Sequence, residues 1–232
     1  MACARGGAAC ARGDAVIALL RYQSAHLLRS HRWIFPLITY GLLISVGGAG
    51  SGRQALSDGL DWSAAILVPV VALLTRSMLT AEPAAARACV SAARGPARAQ
   101  LATLTTAFAA GVVLGLAGAG YEVATSGHKT ALLASLAVGL GKALVCALVG
   151  SAVGTLFNPP LVRHPAAALL ATIAAVVVAL VSSVSPASAA LRGNGATIQS
   201  AAWPAGLPLA AAFALVAVSW AVSCWLAGRR AD

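Results

Sequence analysis

The sequence predicts an all-α integral membrane protein, and three observations support this fold class. Only 9% of the 232 residues are charged, while 59% are hydrophobic. The mean hydropathy is +0.85. Because soluble domains carry about 25% charged residues, most of this surface must face lipid. The apolar stretches are also long, as helices that cross a membrane require, and the alternating strands of a membrane β-barrel are absent.

Six apolar segments are each long enough to cross the hydrocarbon core of a membrane, which takes about 20 helical residues. The predicted spans are residues 33–50, 61–81, 100–120, 130–157, 165–185 and 204–228. The second to fifth spans are rich in alanine, glycine, serine and threonine, small residues that let membrane helices pack closely. We therefore predict a single transmembrane domain over residues 1–232, without a separate soluble domain.

The distribution of basic residues predicts the orientation of these spans. With six spans, twelve arginines fall on one side of the membrane: Arg5, Arg12, Arg21, Arg29, Arg32, Arg76, Arg87, Arg94, Arg98, Arg163, Arg229 and Arg230. Three basic residues fall on the other side: Arg53, Lys129 and Arg192. Because cytoplasmic loops collect arginine and lysine, both termini are predicted to be cytoplasmic. Membrane orientation and lipid headgroups explain the formal charge of +10, and no nucleic-acid-binding module is present.

Residues 14–32, just before the first span, have the pattern of an amphipathic helix. At 100° per residue, its apolar side chains fall within one sector of about 120°, and its arginines fall within another sector. The apolar set is Val16, Ile17, Leu20, Leu27 and Leu28, and the basic set is Arg21, Arg29 and Arg32. The pattern predicts an elbow helix in the plane of the membrane interface. The alternative is a positively charged flank without a defined helix.

A second short helix is predicted between spans 2 and 3, over residues 83–94. Pro83 suits a first helical position, and the Gly95-Pro96 pair is a stop signal before the next span. Helical hairpins usually need much shorter connections, so a dedicated helix here indicates a docking surface. The alternative is a solvated loop.

The layout resembles that of ABC-2-type permeases, the membrane subunits of ABC exporters, and in particular their small alanine-rich actinobacterial members. The resemblance covers nearly the whole chain. It rests on the basic elbow LLRYQSAHLLRSHRW, the six spans, the long loop LTAEPAAARACVSAARGPARAQLATL and the linker SPASAALRGNGATIQSAAWPAG. It implies that residues 83–94 form a coupling helix that docks on a separate cytoplasmic ATPase. The coupling residues would be Glu82, Arg87, Arg94 and Arg98.

The resemblance also implies a function and a set of partners. Two copies, or one copy and a paralogue, would form the export pathway in the cell membrane among its lipids. The linker before span 6 would be an external re-entrant or gating region, here short and polar. ATP would bind to the partner ATPase and no cofactor to this chain. The alternative from another class is a non-transporting membrane scaffold or immunity protein that uses the same loop. The sequence leaves the cargo open.

The motifs of ATP hydrolysis and of intramembrane proteolysis are absent, so we expect no enzymatic activity. Neither GLGKA at residues 139–143 nor SGHKT at residues 126–130 has the earlier glycine of a phosphate-binding loop. GSAVG at residues 150–154 resembles a serine-nucleophile motif, but no histidine lies in a predicted span to serve as the base. Helix packing through GxxxG pairs explains these glycines better. The pairs are Gly111 with Gly115 and Gly150 with Gly154.

Two further residues inside the spans are candidates for the pathway or for helix interfaces. Lys142 is the one charge predicted deep in a span, where a cation costs about 2.5 to 3.5 kcal/mol. It is expected to face a partner subunit, an anionic group on the cargo or a backbone carbonyl, or to snorkel, with Glu122 as a weaker candidate partner. Pro69 removes a helix hydrogen bond in span 2 and is expected to kink it.

Overall fold

The computed structural model describes most of the apolar segments and parts of the connections between them. The described residues are 18, 20–31, 33–49, 56–81, 86, 89–92, 95–126, 132–157, 165–182, 185–192 and 206–229. Within them every regular element is a helix. The helices are α1 (20–29), α2 (Ile34–Ala49), α3 (Leu56–Ala81), α4 (Pro96–Thr125), α5 (Leu132–Leu156), α6 (Pro165–Val181), α7 (Pro186–Arg192) and α8 (Gly206–Arg229).

Helix α3 is the centre of the bundle, and its buried side chains contact α2, α4 and α5. Val68, Val71 and Ala72 are fully buried. Val71 packs against Gly111 of α4, whereas Leu56 and Leu60, near the other end of α3, cluster with Ala119 later in α4. Because positions later in α3 meet positions earlier in α4, the two helices are antiparallel.

Helix α5 runs parallel to α3, and the contact is close because it passes over glycines. A Cβ atom on Gly150 would lie 2.6 Å from the carbonyl oxygen of Val68, and one on Gly154 would lie 2.7 Å from that of Ala72. Real Cβ atoms do not approach backbone oxygens this closely, so only glycine allows the two backbones to meet in this way. Gly150 and Gly154 therefore position α5 against α3.

Helix α8 completes the bundle against α4 and α5. Gln100 Nε2 in the first turns of α4 donates a hydrogen bond of 3.0 Å to Ser223 Oγ near the end of α8. Cys224 Sγ is 3.7 Å from the carbonyl oxygen of Ala97. These contacts make α8 antiparallel to α4 and bring the C-terminal end of α8 next to the N-terminal end of α4.

The N-terminal helices α1 and α2 pack on the outside of α3. Leu27 of α1 is buried in a cluster with Leu74 and Met78, close to the C-terminal end of α3. Helix α1 ends at Arg29, and His31 has a positive φ of 55° at the turn into α2. Trp62 Nε1, near the start of α3, donates to the carbonyl oxygen of Leu43 at 3.2 Å. Helix α2 is therefore antiparallel to α3.

Helix α6 is followed by a break and then by the short helix α7. The two helices are bent by 40° relative to one another. Ser188 Oγ donates to the carbonyl oxygens of Ser182 and of Ser185, the latter at 3.0 Å. Ala187 is fully buried in the core cluster that also contains Ala64 and Val68. The start of the linker that was expected to be a polar external segment is thus helical and tucked into the bundle.

The all-helical class is confirmed, and four helices are long and apolar enough to cross a membrane: α3, α4, α5 and α8. A fifth crossing exists if α6 and α7 form one broken span. Helix α2, which matches the predicted first span, has only 16 residues and is about 24 Å long, less than the hydrocarbon thickness. The described residues therefore support four or five spans, and the count of six stays a prediction.

The outer surface of the bundle is apolar, as lipid contact requires. Leu133 is 82% exposed, and large side chains such as Phe35, Leu170 and Val218 are also well exposed. Exposed apolar surface on this scale is not typical of a soluble monomer. Together with the long apolar helices, it is typical of a multi-pass membrane protein.

Candidate functional site

Charged residues of the described chain gather at two opposite ends of the bundle. The arginine end consists of Arg21 and Arg29 in α1, Arg76 in the last turns of α3, Arg98 in the first turn of α4 and Arg229 at the end of α8. The acidic end consists of Asp58 and Asp61 in the first turns of α3 and Glu122 in the last turn of α4. These three residues are all the aspartates and glutamates of the described part of the chain.

Lys142 forms an ion pair with Asp61 across the interface between α5 and α3. Its Nζ donates to both carboxylate oxygens, at 2.6 Å to Oδ1 and 2.8 Å to Oδ2. The Lys142 side chain is only 8% exposed, whereas that of Asp61 is 31% exposed. The attraction between the two charges offsets the cost of placing an ammonium group inside the bundle. Removing either partner would leave the other charge without its counterion.

Asp61 lies inside its helix because α3 begins earlier than the sequence indicates. The second span was predicted to begin at Asp61, but the helix begins at Leu56. Leu56 and Leu60 are buried against Ala119, so packing extends the helix by more than one turn beyond the uniformly apolar segment. Asp61 is therefore about 8 Å into α3, level with a lysine about 15 Å into α5.

Glu122, the weaker candidate partner of Lys142, occupies a different interface. It is 7% exposed, and its carboxylate lies directly against the backbone of Gly59 in α3. One turn earlier in α4, Gly118 makes room for the hydroxyl of Tyr40 from α2. That hydroxyl is buried and has no hydrogen-bond partner among the described residues. Two glycines thus create space for polar groups where α2, α3 and α4 meet.

The predicted pathway and interface residues all lie on or against α3. Pro69 lies inside α3, and the helix continues past this proline to Ala81. Gly111 and Gly115 of α4 lie against Val71 and Leu67. Gly150 and Gly154 of α5 lie against the α3 backbone as described above. The structure brings these glycines to one central helix, while Lys142 lies on the same α5 interface nearer the acidic end.

The predicted coupling residues are mostly outside the described part of the chain. Glu82, Arg87 and Arg94 are outside the described residues, and so are residues 83–85, 88 and 93 of the predicted coupling helix. Residues 89–92 are helical, and Cys89 among them is exposed. Gly95 has a positive φ of 84°, and Pro96 is the first residue of α4. Arg98 is exposed at the arginine end.

The predicted elbow helix is described from residue 20 onward, apart from Arg32. Its apolar sector is divided: Leu27 is buried against α3 and α4, whereas Leu28 is 63% exposed. Gln23, one turn before Leu27, is 1% exposed and so shares the buried face. Val16 and Ile17 lie outside the described residues.

No protein-family model matches this chain, and neither the curated proteins nor the solved structures contain a significant match. The functional argument therefore rests on the sequence pattern and on the geometry described above. Within the described residues, no group of three or more His, Cys, Asp or Glu side chains is arranged to hold a metal ion.

The residue that sequence reasoning missed is Asp61. The sequence separation between Asp61 and Lys142 does not indicate that they are in contact, because the two residues lie on helices that are not consecutive in the chain. The available signal was the buried pattern of Leu56 and Leu60 before it, which extends the helix and moves the carboxylate inward.

Proposed function

We propose that this protein is the membrane subunit of an ABC exporter, in which a second copy or a paralogue completes the pathway and a separate cytoplasmic ATPase supplies the energy. In this proposal the chain crosses the membrane six times, with α2 and the α6–α7 pair as the two spans beyond α3, α4, α5 and α8. The arginine end faces the cytoplasm. Helix α1 is the elbow at the inner membrane surface.

The observation that carries the proposal is where the connection between α3 and α4 lies. The C-terminal end of α3 and the N-terminal end of α4 both belong to the arginine end, and the connection between them contains the helical residues 89–92. Helix α1 packs on α3 at the same end. A basic end that combines an elbow with a helical connection supports docking of a cytoplasmic partner there, as the resemblance implies.

The orientation is supported by the charges of the described bundle. Basic residues near the ends of membrane helices stay in the cytoplasm, whereas acidic residues contribute little to orientation. The arginine end holds five arginines and the acidic end holds Arg192 alone among the described arginines. This asymmetry agrees with cytoplasmic termini, since α8 ends at the arginine end.

Co-purification from the native membrane tests the proposal. We expect an ABC ATPase to accompany the full-length protein, and ATP hydrolysis by the complex. Reversing two charges in the coupling segment, Arg87→Glu with Arg94→Glu, is expected to weaken the association and lower ATP hydrolysis. The matched control is Arg192→Glu, which reverses a charge at the acidic end and is expected to leave both unchanged.

Two outcomes would overturn the proposal. If a partner without an ATPase domain is captured, the protein is a scaffold or immunity protein that uses the same surface. If an ATPase is captured but the double variant hydrolyses ATP like the wild type, the segment of residues 83–94 does not couple the two subunits.

A further inference from the structure

A cleft opens at the acidic end beside the Lys142–Asp61 ion pair. Its volume is about 480 Å³, enough for a small organic molecule. Residues from α2, α3 and α7 line it: Gly47, Asp58, Asp61, Trp62, Ala65 and Leu191. The described part of its walls thus combines two carboxylates, one large aromatic ring and small or aliphatic side chains.

Among the described residues that line the cleft, one carboxylate is paired with a cation and the other is not. Asp61 lines the cleft, and its carboxylate is paired with Lys142, which is not among the described lining residues. Asp58 is exposed and receives a long hydrogen bond of 3.3 Å from Ser57 Oγ, so its charge has no described counterion. Arg192, next to Leu191, donates instead to the carbonyl oxygen of Val181 at 3.4 Å.

Trp62 gives the cleft a fixed aromatic surface. Its indole Nε1 donates to the carbonyl oxygen of Leu43, and the ring packs directly on the backbone of Gly47, where a larger residue would collide with it. The residue is nevertheless 46% exposed. An aromatic ring that is held in place near carboxylates attracts cations through its π-electrons and offers apolar contact to the body of the ligand.

We propose that this cleft binds an organic monocation with a small apolar body, such as an aryl or alkyl ammonium. The carboxylate of Asp58, which has no described counterion, would attract the positive charge, and Trp62, Ala65 and Leu191 supply the apolar contacts. Asp61 is shared between Lys142 and the ligand, so the ion pair sets the affinity of the cleft. This inference goes beyond the transport proposal, because binding to the cleft does not depend on an ATPase.

The test uses the purified full-length chain alone in nanodiscs of zwitterionic phosphatidylcholine, with benzyltrimethylammonium as the probe. Binding is measured by saturation-transfer NMR titration. Benzylsulfonate, an anion with the same apolar body, serves as the control ligand. We expect saturable binding of the cation and none of the anion.

Two variants are expected to change the affinity in opposite directions. Asp58→Asn removes the carboxylate that has no described counterion and is expected to weaken binding about fivefold, the value of one exposed ion pair. Lys142→Met releases Asp61 toward the cleft and is expected to strengthen binding by about the same factor. Asp58→Glu keeps the charge and is expected to bind like the wild type.

The opposite signs separate a role in binding from a general loss of structure, which would weaken binding in both variants. Circular dichroism establishes that each variant is folded, and the comparison of Asp58→Asn with Asp58→Glu suffices if Lys142→Met does not fold. Equal binding of the cation and the anion, or equal affinities of the wild type and Asp58→Asn, would overturn the proposal. Because no ATPase is present, this result is independent of the test of transport.

Discussion

The two ends of the helical bundle differ in the sign of their charges and in how those charges are held. At the arginine end, the described arginines are on the ends of α1, α3, α4 and α8, and Arg229 lies 3.9 Å from the centre of the Trp225 ring. At the acidic end, Asp61 is paired with a buried lysine and Glu122 is buried between α3 and α4. The described arginines thus lie at helix ends, whereas Asp61 and Glu122 are part of the helix interfaces.

This difference indicates what each end can do. Long arginine side chains at helix ends can reach lipid headgroups or a protein partner. Close interhelical contacts hold Asp61 and Glu122 at the acidic end, and the cleft opens beside Asp61. We therefore expect substitutions at the acidic end to affect folding more strongly than those at the arginine end.

The largest expected effect comes from breaking the ion pair at the acidic end. Asp61→Asn leaves the ammonium group of Lys142 nearly buried without a counterion, and is expected to destabilise the protein by about 3 kcal/mol. The measurement is the free energy of unfolding in detergent micelles. The double variant Asp61→Asn with Lys142→Met removes both charges and is expected to regain most of the loss. Equal stability of the single and double variants would contradict the pairing.

The second-largest effect is expected at the close contact between α3 and α5, which runs between the two ends of the bundle. Gly150→Ala places a methyl group 2.6 Å from the Val68 carbonyl oxygen, and is expected to cost about 1 to 3 kcal/mol because the helices must separate. The matched control is Gly141→Ala in the same helix, where nothing lies within 4 Å of the new methyl group. Thermal unfolding of both variants provides the comparison. An equal change in both would mean that α5 does not meet α3 through this glycine.

The smallest effect is expected at the arginine end, from the hydrogen bond between Gln100 and Ser223. Such contacts between membrane helices contribute about 0.6 kcal/mol on average. A double-mutant cycle with Gln100→Ala and Ser223→Ala should therefore give a coupling energy of that size, measured by unfolding in detergent. A coupling energy equal to that of the Asp61–Lys142 pair would remove the energetic difference between the two ends.

Much of the fold follows from composition and hydropathy. The scarcity of charge and the long apolar segments predict membrane helices, and the ends of α5 and α8 differ from the predicted spans by one or two residues. The start of α3 was harder to predict, because Ser57, Asp58 and Gly59 lower the local hydropathy. Leu56 and Leu60 on either side of them are nevertheless buried. Helix ends that depend on tertiary packing are not visible in a hydropathy average.

The candidate site could be predicted only in part. The cost of a buried cation indicates that Lys142 needs a partner, but choosing Asp61 over Glu122 requires knowing that α5 lies parallel to α3. That arrangement depends on the contacts of Gly150 and Gly154 with the α3 backbone, and a GxxxG pair does not specify its partner helix. The pairing is therefore a property of the packed bundle rather than of the local sequence.

The most direct test of the account is the side of the membrane on which the arginine end lies. A variant that retains Cys89 as its single cysteine should react with a membrane-impermeant maleimide only after the cells are permeabilised. The same background carrying Asp58→Cys in place of Cys89 should react in intact cells. Labelling of Cys89 in intact cells would contradict a cytoplasmic arginine end and would leave the proposed ATPase without a surface to bind.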